Sequence, residues 1–69
     1  MKLSARNQIA GEVVDVRKGA TTAHVKIKID GGATITASIT NEAIDDLKIE
    51  VGKPVKAVIK ASDVMIAVE

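Results

Sequence analysis

Near the start of the chain, Ser4-Ala5-Arg6-Asn7-Gln8 places a hydroxyl, a guanidinium and two amides within five residues and includes no carboxylate. Near the other end, Ile59-Lys60-Ala61-Ser62-Asp63 adds an ammonium and a second hydroxyl at a break between two predicted strands. Groups of this kind suit one chemistry above others. A small tetrahedral oxyanion that is fully deprotonated at neutral pH offers only acceptors, so its site wants N–H and O–H donors, a cation for charge, and no carboxylate close by. A strand interruption adds to this, because backbone N–H groups released from a ladder can converge on an anion. Asp63 fits only if its side chain points away. The competing interpretation is plain: Arg6 and Lys60 as surface charges, Ser4 and Ser62 as turn caps.

Other chemistries find no footing. There is no cysteine and a single histidine. His24 lies in an alternating stretch beside Lys26 and Lys28, which predicts a solvated strand face rather than a metal ligand or a catalytic base. Asp45 and Asp46 are adjacent and would point in different directions from a helix, so they do not make a catalytic carboxylate pair. Gly31 and Gly32 precede no Gly-Lys-Ser/Thr and sit in a predicted hairpin, not in a phosphate loop. The expectation is a protein that binds and does not catalyse.

Charge and hydropathy narrow the partners. Ten basic residues against nine acidic ones give a net charge of +1, with no general attraction for nucleic acid or anionic lipid. No apolar run approaches the ~18 residues that span a membrane, and Met1-Lys2-Leu3 leads straight into polar sequence without the apolar stretch of a signal peptide. A cytoplasmic location is the expectation.

The elements that must position the two donor segments are legible from their periodicity. Ile9 to Arg17 is rich in β-branched residues, but Gly11 and the Val13-Val14 doublet break alternation, predicting a first strand with a bulge or bend. After a Lys18-Gly19-Ala20 turn, Thr21 to Ile29 alternates cleanly, with Ala23, Val25, Ile27 and Ile29 inward. Asp30-Gly31-Gly32 predicts a hairpin into Ala33 to Thr40, where Ile35, Ala37 and Ile39 face in. Thr40 or Asn41 caps a short helix of at most two or three turns that carries Ala43, Ile44 and Leu47 at helical spacing. A turn at Val51 to Pro54 leads to a fourth strand, Val55 to Lys60, and Val64 to Val68 makes a fifth. This order predicts an all-β fold: a small five-stranded OB-like Greek-key barrel with one short helix between strands three and four. A small open sheet that completes itself in a dimer reads similarly.

One domain over residues 1–69 is all the length allows. Its interior must be built from Val, Ile, Leu and Ala, since there is no Phe, Trp or Tyr although 46% of residues are hydrophobic. A core of small side chains at this size calls for a supplement, and oligomerisation supplies one. The missing aromatics also weigh against nucleic acid, because single-strand binders of OB type stack bases on aromatic rings.

The segments Leu3 to Gly11, "LSARNQIAG", and Ile59 to Glu69, "IKASDVMIAVE", resemble the patterns "ISARNQLKG" and "IKSTDVMI" or "IKATSVMV" of the molbindins, also called molybdenum-pterin-binding proteins. The resemblance extends over essentially the whole chain. The module is similar also to the ligand-binding repeats of the molybdate-responsive regulator and to the accessory domain of the molybdate transporter ATPase. The resemblance implies an OB-like barrel assembled as a homohexamer, a trimer of dimers, that holds molybdate or tungstate between subunits. It further implies that Ser4 and Arg6 of one subunit bind the anion, with Ala5 and Asn7 adding backbone or amide contacts. The other subunit would contribute the Thr40 hydroxyl and Lys60 with the Ala61 and Ser62 backbone. The family's older name suggests a molybdopterin, but the chain has no ring to stack on a pterin. A nucleic-acid-binding OB module and a purely structural assembly domain are the alternatives from other classes.

Overall fold

A computed structural model describes residues 4–69; Met1, Lys2 and Leu3, the last of which heads the first motif, lie outside the described residues. The elements run β1 (Asn7–Lys18), β2 (Thr22–Ile29), β3 (Thr34–Thr40), α1 (Asn41–Asp46) and β4 (Pro54–Ile59), followed by a 3₁₀ turn at Ala61–Asp63. The strands form one antiparallel sheet in the order β3-β2-β1-β4.

β1 is shared between two partners. Its first half pairs with β4, from Asn7↔Ile59 to Glu12↔Pro54, and its second half pairs with β2, from Gly11↔Ile29 to Lys18↔Ala23. The change of partner needs a sharp bend, and the predicted irregularity provides it: the register shifts between Val13 and Asp15, leaving Val14 as the extra residue of a bulge. Val13 is thereby fully buried while Val14 faces outward. Gly11 sits where the two ladders overlap. A Cβ there would come within 2.7 Å of both Ile27 Cγ2 and the Lys28 carbonyl oxygen, so close approach of β2 excludes any side chain. Gly11→Ala is expected to destabilise the fold by about 1–3 kcal/mol through overpacking. Urea denaturation measures this, and an unchanged midpoint would refute the close contact.

β2 and β3 follow their alternation. Ala23, Val25 and Ile27 are buried, Ile29, Ile35, Ala37 and Ile39 are half-buried, and the intervening Thr, His, Lys and Ser residues are exposed. The Asp30-Gly31-Gly32 hairpin takes φ of 101° and 100° at its two glycines, values that L side chains rarely adopt. The core consists of Val13, Ala23, Val25, Ile27, Ile44 and Ala57, all small aliphatics as the composition requires.

Two expectations need correction. The helix is six residues long, within the expected bound, but it ends before Leu47, which is its C-cap and 58% exposed rather than part of the helical face. The chain leaves the helix through Lys48 at φ 52°, and the Lys53 ammonium donates to the freed carbonyls of Leu47 and Lys48. The expected fifth strand is the second correction: Val64 to Val68 joins no sheet, and Met65, Ile66 and Val68 are about nine-tenths exposed. The reason is the turn after β4. Asp63 N–H donates to the Lys60 carbonyl and Val64 N–H to the Ala61 carbonyl, which turns the tail out of the β4 direction. Among the described residues of one chain the sheet is therefore curled and open, with four strands, and not a closed five-stranded barrel.

Candidate functional site

The β1–β4 ladder ends at the Asn7↔Ile59 pair, so the two donor-rich segments leave the sheet side by side. Ser4, Ala5 and Arg6 precede this rung on one strand; Lys60, Ala61 and Ser62 follow it on the other. Alternation carries through the junction: Ser4, Arg6 and Gln8 are exposed and Ala5, Asn7 and Ile9 half-buried, while Val58 and Lys60 are exposed and Ile59 half-buried. Arg6 and Lys60 thus belong to the same outward face. One further step of the same register would set them opposite each other. Like charges in that relation repel unless an anion lies between them.

Neither cation is in an ion pair among the described residues. Among the described residues the ion pairs are Arg17–Asp15 at 3.0 Å and Lys18–Asp45 at 2.8 Å, both at the far end of β1. The 3₁₀ turn adds donors of another kind. It uses the N–H groups of Asp63 and Val64, and it leaves those of Ala61 and Ser62, at its open end, without a backbone acceptor among the described residues. Asn7 is engaged differently from its neighbours: its side-chain Nδ2 donates to the Ile59 carbonyl at 3.1 Å.

Thr40 stands apart. It pairs with Thr22 at the end of β3, beside the turn that follows Lys18, and so belongs to the opposite end of β1 from Asn7. Its hydroxyl oxygen accepts the Ala43 N–H at 3.0 Å as the N-cap of α1, which settles the choice between Thr40 and Asn41. A hydroxyl that accepts in this way keeps its own proton to donate. Asn41 anchors the start of the helix, its Nδ2 donating to the Gly19 carbonyl at 2.9 Å and its backbone N–H to the Thr21 carbonyl at 2.9 Å. One chain therefore brings Ser4 to Asn7 and Lys60 to Ser62 together and leaves Thr40 at a different corner.

His24 lies exposed on the outer face, opposite Arg17 on β1 and Ser38 on β3. The described residues contain no group of three His, Cys, Asp or Glu side chains placed to hold a metal ion. Sequence inspection did not find the Asn7–Ile59 bond or the Lys53 cap. A run of donors does not reveal which of them is already spent on the backbone.

A curled antiparallel sheet whose terminal β1–β4 rung is flanked by two donor-rich segments defines a small β-domain. Residues 3–66 match the TOBE domain family. A probable molybdenum-pterin-binding protein of Haemophilus influenzae is 45% identical over 69 residues, all of both chains. Among solved structures, MopII from Clostridium pasteurianum in an apo form superposes with a TM-score of 0.91 at 42% identity, over 97% of this chain and 100% of that one. The cytoplasmic molybdate-binding protein ModG, with molybdate bound, superposes with a TM-score of 0.91 at 42% identity over 94% of this chain and 46% of its own length. The chain belongs to the TOBE domain family and, within it, to the molybdenum-pterin-binding proteins.

Proposed function

We propose that this protein binds molybdate, or its near-isostere tungstate, without catalysis, and serves the storage or homeostasis of molybdenum in the cytoplasm. The observation that carries the proposal is the ladder end at Asn7↔Ile59, beside which Arg6 and Lys60, neither in an ion pair among the described residues, both lie exposed. The naming of the relatives as molybdenum-pterin-binding proteins, and the molybdate held by the similar ModG, support the identity of the anion. In this proposal Ser4, Arg6, the Ala5 backbone, Lys60 and the Ala61 and Ser62 N–H groups of one chain surround the anion with Thr40 from a neighbouring copy; this moves Lys60, Ala61 and Ser62 from the second subunit, where the resemblance puts them, to the first, because the Asn7↔Ile59 rung lies between the two segments. Residues 1–69 act as one domain.

The second copy also answers the open sheet. The curled sheet leaves a cleft lined by Ile27, Ile35, Val55, Ala57 and Ile59, and the same chain carries an exposed apolar tail in Val64, Met65, Ile66 and Val68. In the proposed homohexamer, a trimer of dimers, the tail of one copy supplies the fifth strand that closes another copy's barrel. Ile66→Asp is expected to lower the assembled mass in light scattering, because a carboxylate cannot enter an apolar cleft without large desolvation cost. An unchanged mass would refute tail docking.

Titration calorimetry with molybdate, tungstate, sulfate and phosphate tests the function. Tight binding of the first two and weak binding of the others is the expected result. Equal binding of all four, or none, would remove molybdate as the ligand.

A further inference from the structure

We infer that Asn7 is a positioning residue of the oxyanion site: its side-chain amide locks the last rung of the β1–β4 ladder and so fixes the separation of the Arg6 and Lys60 cations. The inference rests on the assignment of the anion to this end of the sheet, and it replaces direct contact of the Asn7 side chain with the anion by an action through its neighbours.

Three observations converge. Asn7 pairs with Ile59 at the end of the ladder, immediately before both strands become irregular. Its Nδ2 donates to the Ile59 carbonyl at 3.1 Å, a bond between residues 52 apart in sequence, so the side chain adds a tie where the backbone ladder stops. Burial alternates through this segment, with Asn7 half-buried and Arg6 and Lys60 exposed. Successive residues of an extended chain point to opposite faces, so the Asn7 side chain does not share with Arg6 an anion lying on the outer face.

The tie acts on the peptide that introduces Lys60. In a trans peptide the C=O and N–H point in opposite directions. Holding the Ile59 carbonyl toward Asn7 therefore also sets the direction of the Lys60 N–H and the departure of the chain into the 3₁₀ turn. Arg6 is one residue from the other side of the same tie. Two like charges on adjacent strand ends separate if the strands are free to splay, and the amide opposes that splaying before any anion arrives. A site held at a set spacing distinguishes anions of equal charge and shape by size; a splayed one does so less.

The test is a cycle of Asn7→Leu, Arg6→Lys and the double variant, with calorimetry against molybdate and sulfate and with melting curves of the anion-free proteins. Leucine keeps the bulk of the half-buried side chain and removes its donor, while Arg6→Lys weakens the site without emptying it of charge. The expected result is about a tenfold loss of molybdate affinity in Asn7→Leu, a smaller loss for sulfate, a melting temperature lowered by only a few degrees, and a sub-additive loss in the double variant. Asn7→Ser, which restores a donor, should recover part of the affinity. Unchanged molybdate affinity in Asn7→Leu, with affinity lost in Arg6→Lys, overturns the role of Asn7 and leaves the site standing. Fully additive losses overturn it in favour of direct contact. Affinity lost only in step with melting temperature, and not recovered by Asn7→Ser, reduces the residue to general stability. Unchanged affinity in Arg6→Lys and in Arg6→Ala overturns the site itself.

Discussion

Arg6→Ala is expected to weaken molybdate binding by about 30-fold to several thousand-fold, while the protein stays folded and assembled. The magnitude follows from what the guanidinium does for a dianion. Truncating one partner of a desolvated, hydrogen-bonded charge pair costs roughly 2–5 kcal/mol, much of it from the charge left without its partner, and each 1.4 kcal/mol is about tenfold in affinity. The fold should hardly notice. Arg6 is exposed, precedes β1 and has no carboxylate partner among the described residues, so its removal falls among surface changes worth about 0.5 kcal/mol or less. Removal even relieves repulsion with Lys60 in the empty site. Calorimetry gives the affinity, and thermal melting gives a second readout, because an anion that binds only the folded state raises the melting temperature in wild type. That rise should shrink in Arg6→Ala in proportion to the logarithm of the lost affinity. Arg6→Lys should fall between the two, since an ammonium keeps the charge and loses the planar fork of donors. An affinity unchanged in Arg6→Ala would place the anion elsewhere.

The contrast between what was and was not legible in the sequence has a physical pattern. Alternation in Thr22–Ile29 and Thr34–Thr40 declares both the strand and its buried face, because one side of each strand faces the concave core of the sheet and the other faces solvent. The Val13-Val14 doublet betrays the bulge for the same reason: two consecutive β-branched residues cannot both face inward. Val64 to Val68 carries as strong an apolar signal and forms no strand within the chain. Periodicity says that a segment seeks burial. It does not say against which molecule. Leu47 continues the helical spacing of Ala43 and Ile44, yet the helix ends at Asp46 and leaves Leu47 exposed at the C-cap, because spacing marks a helical face and not where the helix stops.

The site divides along a similar line. Donor types and the lack of carboxylates mark Ser4 to Gln8 and Lys60 to Ser62 from the sequence, and the ladder brings them together across 52 positions. What the sequence conceals is the division of labour inside the run. Arg6 and Asn7 are neighbouring donors, yet one is exposed and in no ion pair among the described residues and the other is tied to a backbone carbonyl. Only the pleat separates them. Thr40 presents the reverse case, a residue whose local duty as a cap is clear and whose proposed second duty depends on a neighbouring copy.

Those two duties of Thr40 can be pulled apart with a single carboxylate. Thr40→Asp should keep the helix start intact, because an aspartate oxygen accepts the Ala43 N–H as well as a threonine hydroxyl does and ranks at least as high among N-caps. The same substitution replaces a donor with a second negative charge at the mouth of a site that holds a dianion. Hydrogen-bond donation is lost and like-charge repulsion is added, so molybdate binding should fall below detection at concentrations where wild type saturates. Thr40→Ala reports the opposite balance: it removes the cap, at about 0.5–2 kcal/mol of stability, and removes one neutral donor from the anion, at about 0.5–1.5 kcal/mol or up to twice that for a charged acceptor. Circular dichroism melts rank the two variants for stability, with Thr40→Asp above Thr40→Ala. Calorimetry ranks them the other way for molybdate. If Thr40→Asp instead binds molybdate as wild type does, the Thr40 hydroxyl of the neighbouring copy is not at the anion, and its work ends with the cap.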